Sequence, residues 1–222
     1  MIKTLLFSIS CLATIHVVAQ SAPASYYGLF ESKELAMTYY ERFGKDFEIK
    51  NGETVADIGS DNGWLEGVYS LVPNLKCKFY LEEIDTTCLN KKIFTQMVSH
   101  YTKLNGGSID DDFFYSIGDE RSTHLPKNTF DRVILALTYH ELSYKEEMLN
   151  DIKSILKPTG VLMISENVTL KHRKRRRDCK HYMPIEKDLI AELNKNGFEL
   201  KKKTINAYQK RLVLYQFALK SK

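Results

Sequence analysis

The residues with the most legible chemistry are carboxylates and glycines placed where apolar runs end. Asp57-Ile58-Gly59-Ser60-Asp61-Asn62-Gly63 closes the run Val55 to Ile58, and Trp64, Leu65, Val68, Tyr69 and Val72 then follow at helical spacing up to Pro73. This pattern predicts a strand–turn–helix unit, the element on which α/β folds seat nucleotide-like ligands. Gly59 and Gly63 carry no Cβ, so the turn can be tight and its backbone can approach a ligand. The first helical turn adds free N–H groups beside it. Twenty residues beyond Gly63, a second apolar run ends in Glu82-Glu83-Ile84-Asp85. A carboxylate there can accept from both hydroxyls of a ribose, and Glu83 is the candidate, with Glu82 and Asp85 as its register neighbours. The same acids could instead cap the next helix. Asp119, after Gly118 at the end of a third run, can accept from the exocyclic amine of an adenine, or be a solvated loop acid.

A fourth run ends in Leu137-Thr138-Tyr139-His140-Glu141. Histidine is the side chain suited to proton transfer near neutral pH, so His140 could act as a general base, against the plainer reading of a packed or capping histidine. Tyr139, Glu141 and Glu166 are further candidates. Between Lys171 and Lys180, seven of ten residues are Lys or Arg. Such a loop either attracts an anionic ligand or is a solvated basic surface.

The elements that must position these groups alternate. A helix is expected over 31–47, and strands at Thr54–Ile58, Cys77–Leu81, Phe113–Ile117, Phe130–Leu137 and Val161–Ser165. Helices are expected at Trp64–Val72, Thr86–Leu104, Tyr144–Leu156 and Ile185–Asn196, with Lys157-Pro158-Thr159-Gly160 as a stop. Two last strands, Phe198–Asn206 and Arg211–Leu219, are too close for a crossover helix and should form an antiparallel hairpin. The expected fold is therefore α/β and doubly wound, with a mainly parallel seven-stranded sheet and an antiparallel C-terminal hairpin.

With 222 residues, 43% hydrophobic and 27% charged, the chain suits one domain, expected over 31–222, and is too apolar for disorder. Its net charge of +4 is concentrated in the basic loop and does not by itself imply nucleic acid. Met1-Ile2-Lys3, a stretch from Thr4 to Ala19 without charge, and Val17-Val18-Ala19 predict a signal peptide over 1–19 and an exported protein, with 20–30 as a linker. The run is shorter than the roughly 20 residues of a membrane span, and the mature chain carries no other candidate. Cys77, Cys88 and Cys179 would remain, an odd set that fits neither a disulfide framework nor a zinc spacing, so no metal site is expected.

Taken together, Val55-Ala56-Asp57-Ile58-Gly59-Ser60, the acid after the second strand, Gly118-Asp119, Phe130-Asp131-Arg132-Val133-Ile134-Leu135 and Leu156-Lys157-Pro158 with Gly160 resemble the class I S-adenosylmethionine-dependent methyltransferases. The Tyr139-His140-Glu141 run with an export signal is similar to a group of secreted bacterial members. The resemblance implies S-adenosylmethionine as cofactor. Asp57, Gly59, Ser60, Asp61 and Gly63 would hold its methionine end, Glu83 its ribose and Asp119 its adenine. His140, Tyr139 and Glu141 would serve the acceptor side. The family commonly has a glycine where this chain has Asp61, which could instead meet the cofactor's ammonium or sulfonium. The acceptor is expected to be a small molecule, since no Asn-Pro-Pro-Tyr motif follows the fourth strand, and export makes nucleic acid a poor substrate. A binding protein of this fold without catalysis is the alternative. An NAD-dependent oxidoreductase is weaker, because Gly59, Gly63 and Gly67 do not form G-x-G-x-x-G.

Overall fold

The computed structural model describes residues 28–176 and 179–221. The expected signal at 1–19 and residues 20–27 of the expected linker lie outside the described residues. In chain order the elements are α1 (Lys33–Arg42), a 3-10 turn (Gly44–Phe47), β1 (Thr54–Ile58), α2 (Trp64–Tyr69), β2 (Lys78–Glu83), α3 (Lys91–Leu104), β3 (Asp112–Ile117) and β4 (Phe130–Ala136). A second 3-10 turn (Tyr139–Glu141) leads to α4 (Lys145–Ile155), β5 (Leu156–Asn167), a ribbon of β6 (Lys174–Arg175) and β7 (Tyr182–Met183), α5 (Glu186–Lys195), β8 (Phe198–Ile205) and β9 (Leu212–Leu219).

Seven strands form one sheet in the order β3-β2-β1-β4-β5-β9-β8. The first five are parallel, and β9 runs antiparallel to both β5 and β8, so β8 shares the direction of the first five; this is the expected mainly parallel sheet with an antiparallel C-terminal hairpin. The strand order reverses between β1 and β4, so their carboxyl ends diverge and leave a crevice at the point where such sheets bind ligands.

Strand alternation decides which face each acid meets. Val55 joins the core under α1, α2 and α3, while Ala56 and Ile58 join the core under α4 and α5. Asp57 therefore faces α2, the same side as Val55. In β2, Phe79 and Leu81 face the α1–α3 layer and Tyr80 the other, so Glu83 and Glu82 leave the sheet on opposite faces.

Several boundaries differ from expectation: the helix expected over 31–47 breaks at Phe43, α2 ends at Tyr69, and three others differ for plain local reasons. α3 starts at Lys91, not Thr86, because Asp85 accepts from the Thr87 N–H and hydroxyl in a turn, and Asn90 caps the helix by accepting from Lys92 and Ile93. The β2 strand runs on to Glu83, which brings both glutamates into the sheet. The helix before Lys157 does end, at Ile155, but Lys157 to Gly160 is not a loop: it is a bulge within β5, between the pairings Phe130–Leu156 and Arg132–Val161. There Lys157 Nζ donates to both oxygens of Asp131 at 2.8 Å. Lys174 and Arg175 of the basic loop form β6, which pairs antiparallel with β7. Among the described residues no helix is long and apolar enough to cross a membrane, and the three cysteines form no disulfide.

Candidate functional site

The glycine turn is tied to β2. Gly59 and Ser60 N–H groups donate to the Glu82 carbonyl at 2.9 and 3.0 Å, and the Gly63 N–H closes the turn onto Ser60. Gly59 has φ +70°, and a Cβ there would stand 2.4 Å from Thr138, so both backbone and space demand glycine. Asp61 has φ +53°, a conformation that Asp tolerates better than most residues. Its N–H donates to Glu83 Oε2 at 3.1 Å, while Glu83 Oε1 accepts from Ile84 and Asp85 N–H groups at 2.8 and 3.0 Å. Glu83 thus staples the end of β2 to the turn.

A crevice of about 450 Å³ opens beyond these strand ends. Of the residues expected at the cofactor, Gly59, Asp61, Glu83 and Asp119 line it. Asp57, Ser60 and Gly63 stand behind it: Ser60 is buried inside the turn, and Gly63 caps α2 against Leu81. Asp57 turns toward the equally buried Glu66 of α2, so burial and the Glu66 charge raise its carboxyl well above the usual range. Asp119 accepts from the Arg121 and Ser122 N–H groups, which lower its carboxyl, and pairs with His124 Nε2 at 3.1 Å.

The lining of this crevice is one-sided in charge. Asp61, Glu82, Glu83, Asp85, Asp119, Glu120 and Glu141 border it, and none of its lining residues is Lys, Arg or His. Two buried oxygens, Asp61 Oδ1 and Glu82 Oε1, have no hydrogen-bond partner. Burial, then the neighbouring Glu83, pushes Glu82 up to about 8, so near neutral pH its carboxyl is mostly protonated and can donate as well as accept. A cationic ligand with hydrogen-bonding hydroxyls and amines fits such a lining; a pyrophosphate does not.

A second cleft, of about 670 Å³, lies beside the first. Both are bordered by Glu141, Leu142 and Ser143, so one segment after β4 forms a common wall. Here the lining carries Lys145, Arg173, Arg175 and Lys180 against Glu141, Asp188 and Glu192. The Arg173 and Arg175 guanidinium groups lie 6.0 and 4.9 Å from the Tyr182 ring centroid, which anchors the ribbon's charge.

The Tyr139-His140-Glu141 run divides into three roles. Tyr139 is buried and its hydroxyl donates to Glu192 Oε2 at 2.5 Å, which pins the 3-10 turn to α5. Burial and that bond raise the phenol far above its usual value, so it is held as a neutral donor. The His140 side chain is 1% exposed, with Nδ1 2.8 Å from Glu166 Oε1 and Nε2 3.3 Å from Cys179 Sγ and 3.5 Å from Glu141 Oε1. Glu141 alone of the three lines both cavities. The His181 ring stands edge-on, 6.1 Å from that of His140.

Sequence reasoning missed three contributors. Glu82 was read only as a register neighbour of Glu83, although strand alternation puts it on the opposite face with its own place in the crevice. Thr138 packs on Gly59, a contact that no spacing rule reveals. Cys179 was treated as an isolated thiol, although the basic ribbon carries it to His140.

Comparison with known proteins adds the following. Residues 80–164 match the family model described as "Methyltransferase domain". No curated protein matches the chain. Among solved structures, a SAM dependent methyltransferase from Aquifex aeolicus is similar, at 21% identity and a TM-score of 0.60, over 86% of this chain and 99% of that one. So is a Burkholderia thailandensis 1,6-didemethyltoxoflavin-N1-methyltransferase with bound 1,6-didemethyltoxoflavin and S-adenosylhomocysteine, at 13% identity, a TM-score of 0.56 and coverage of 85% and 77%. The [4+2]-cyclase SpnF also matches, at 18% identity, a TM-score of 0.56 and coverage of 84% and 66%. At these identities the likeness is one of fold, and a fold hosts more than one chemistry.

Proposed function

We propose that this chain, which has the class I S-adenosylmethionine-dependent methyltransferase fold, transfers a methyl group from that cofactor to a small anionic acceptor. The observation that carries the reading is the pairing of a wholly acidic crevice with a cleft that brings in four cationic side chains, along the wall Glu141–Ser143. S-adenosylmethionine supplies an electrophilic methyl on a sulfonium, with an ammonium and an adenosine for binding. The residues fit that group: the acidic crevice attracts its cationic centres, and the unpartnered Asp61 Oδ1 is a ready acceptor for one of them. Glu83, already oriented by three backbone N–H groups, keeps acceptor capacity for ribose hydroxyls. Glu82 in its protonated form suits the adenine side near Gly118.

On the other side of the wall, Arg173, Arg175, Lys145 and Lys180 favour an acceptor with a carboxylate or phosphate. With S-adenosylmethionine bound, a lone pair on the acceptor would take its methyl group and the acceptor would give up its proton to the chain. Positioning and charge do most of this work. Glu141, bordering both cavities, is placed to take the proton, and His140 to orient that end of the wall.

Export through residues 1–19 is part of the proposal, and N-terminal sequencing of the secreted or periplasmic fraction tests it. The activity is tested by calorimetry with S-adenosylhomocysteine and with NAD, followed by methyl-transfer assays over small carboxylates and phosphates. Binding of S-adenosylhomocysteine but not NAD, with turnover on an anionic acceptor, supports the reading. Tight binding without turnover on any acceptor favours the non-catalytic alternative.

A further inference from the structure

We propose that His140, Glu141 and Cys179 form a site for one divalent metal ion of the zinc class, opening on the basic cleft. One donor atom from each of the three side chains lies within 4.8 Å of the other two. His140 Nε2 is 3.3 Å from Cys179 Sγ and 3.5 Å from Glu141 Oε1. Zinc bonds of about 2.0–2.3 Å at tetrahedral angles place their donors about 3.3–3.6 Å apart. The histidine's two separations already have the length of tetrahedral edges.

The far side of the imidazole is an independent observation. Glu166, fully buried, accepts the His140 backbone N–H at 3.0 Å and meets Nδ1 at 2.8 Å through the same oxygen. A carboxylate on Nδ1 keeps the ring proton there and leaves the Nε2 lone pair directed at Glu141 and Cys179. This carboxylate–histidine arrangement is the usual support of a metal-binding imidazole. With its side chain 1% exposed, the ring has no freedom to turn away.

The donor set selects the ion. Imidazole with thiolate is borderline-soft and favours zinc over magnesium or calcium, which prefer oxygen. Glutamate and thiolate together neutralise a 2+ charge, so the nearby Arg173, Arg175 and Lys180 do not oppose it. Three protein ligands leave a fourth position, which is the pattern of a site open to solvent or substrate. Ligation also protects the thiolate from oxidation. The linear spacing conceals all this, because Cys179 lies 39 positions beyond His140 and meets it only through the path of the ribbon.

The proposal shares His140 and Glu141 with the methyl-transfer reading, but its test does not depend on methyl transfer. The purified chain, stripped by a chelator, is titrated with Zn²⁺ alone by calorimetry and loaded with Co²⁺ for absorption spectroscopy. Expected are one ion per chain and a thiolate-to-Co²⁺ charge-transfer band that Cys179→Ser removes. Glu141→Gln, a near-isosteric change at a half-exposed side chain, should weaken Zn²⁺ binding at least about tenfold. Binding far below one equivalent, or unchanged affinity in Cys179→Ser, overturns the site. Calorimetry with S-adenosylhomocysteine on the same samples reports the acidic crevice separately, so either idea can fail alone.

Discussion

Glu166 holds His140 twice through one oxygen, at 3.0 Å from its backbone N–H and 2.8 Å from Nδ1. The two residues come from adjacent strand ends, β5 and the turn after β4, so the contact fixes both the path of that turn and the plane of the ring. In Glu166→Gln the acceptor loses its charge and one buried pairing must weaken. The expected cost is about 1–3 kcal/mol, read as a lower urea midpoint at unchanged slope. Zn²⁺ affinity should fall about 10–100-fold in the same variant. A variant as stable as the parent would deny Glu166 this positioning role.

Asp61 combines a backbone role with a side-chain role, and two substitutions separate them. Asp61→Gly keeps the φ of +53° without strain, so thermal stability should hold or rise slightly. S-adenosylhomocysteine affinity should nevertheless fall about tenfold, because the carboxylate is gone. Asp61→Ala loses the carboxylate and also strains the turn, at about 1 kcal/mol in stability. Equal affinity of Asp61→Gly and the parent in calorimetry would remove the side chain from cofactor binding.

Asp57 and Glu66 form a buried acid pair behind the turn, close enough for the two carboxyls to share a proton as a hydrogen bond. Burial raises Glu66 to about 7 from its ordinary 4.5, so the folded state prefers the protonated form. The stability this contributes is complete below about pH 4.5 and is lost as pH rises through about 7. Glu66→Gln keeps a neutral group at every pH and should flatten that decline. Between about pH 5 and pH 8 the parent should lose on the order of 1–3 kcal/mol relative to the variant, measured by chemical denaturation. Parallel pH profiles would refute a shared proton.

The basic ribbon can be reversed in charge without touching the crevice. Arg173→Glu with Arg175→Glu should leave S-adenosylhomocysteine affinity within about twofold, since neither residue lines the acidic cavity. Turnover of an anionic acceptor should fall more than about tenfold through KM, and the salt dependence of that KM should diminish. An unchanged KM would place the acceptor elsewhere.

Much of the site was legible because strand ends are legible. Runs such as Val55 to Ile58 announce a buried parallel strand, and the acid or glycine that stops each run must sit at its carboxyl end, where ligands bind. Glu83, Asp119 and Asp61 were found that way, and all three line the crevice. Asp57 was assigned to the same ligand and lies behind the turn, because run endings locate a residue along a strand but do not say which helix its face meets. The α3 start slipped by five residues for a related reason: Asp85 and Asn90 compete as turn and cap formers, and only hydrogen bonding shows that Asn90 caps the helix.

The sequence by itself determined the layered α/β architecture, its antiparallel end and the glycine turn, since hydrophobic period and the absence of a Cβ are local properties. Only the tertiary structure decided that seven carboxylates share one cavity, that the basic ribbon faces another across Glu141, and that Cys179 meets His140. Those are relations between segments far apart in the chain. They depend on strand order and on the path of the ribbon, which long-range packing sets and residue spacing does not encode.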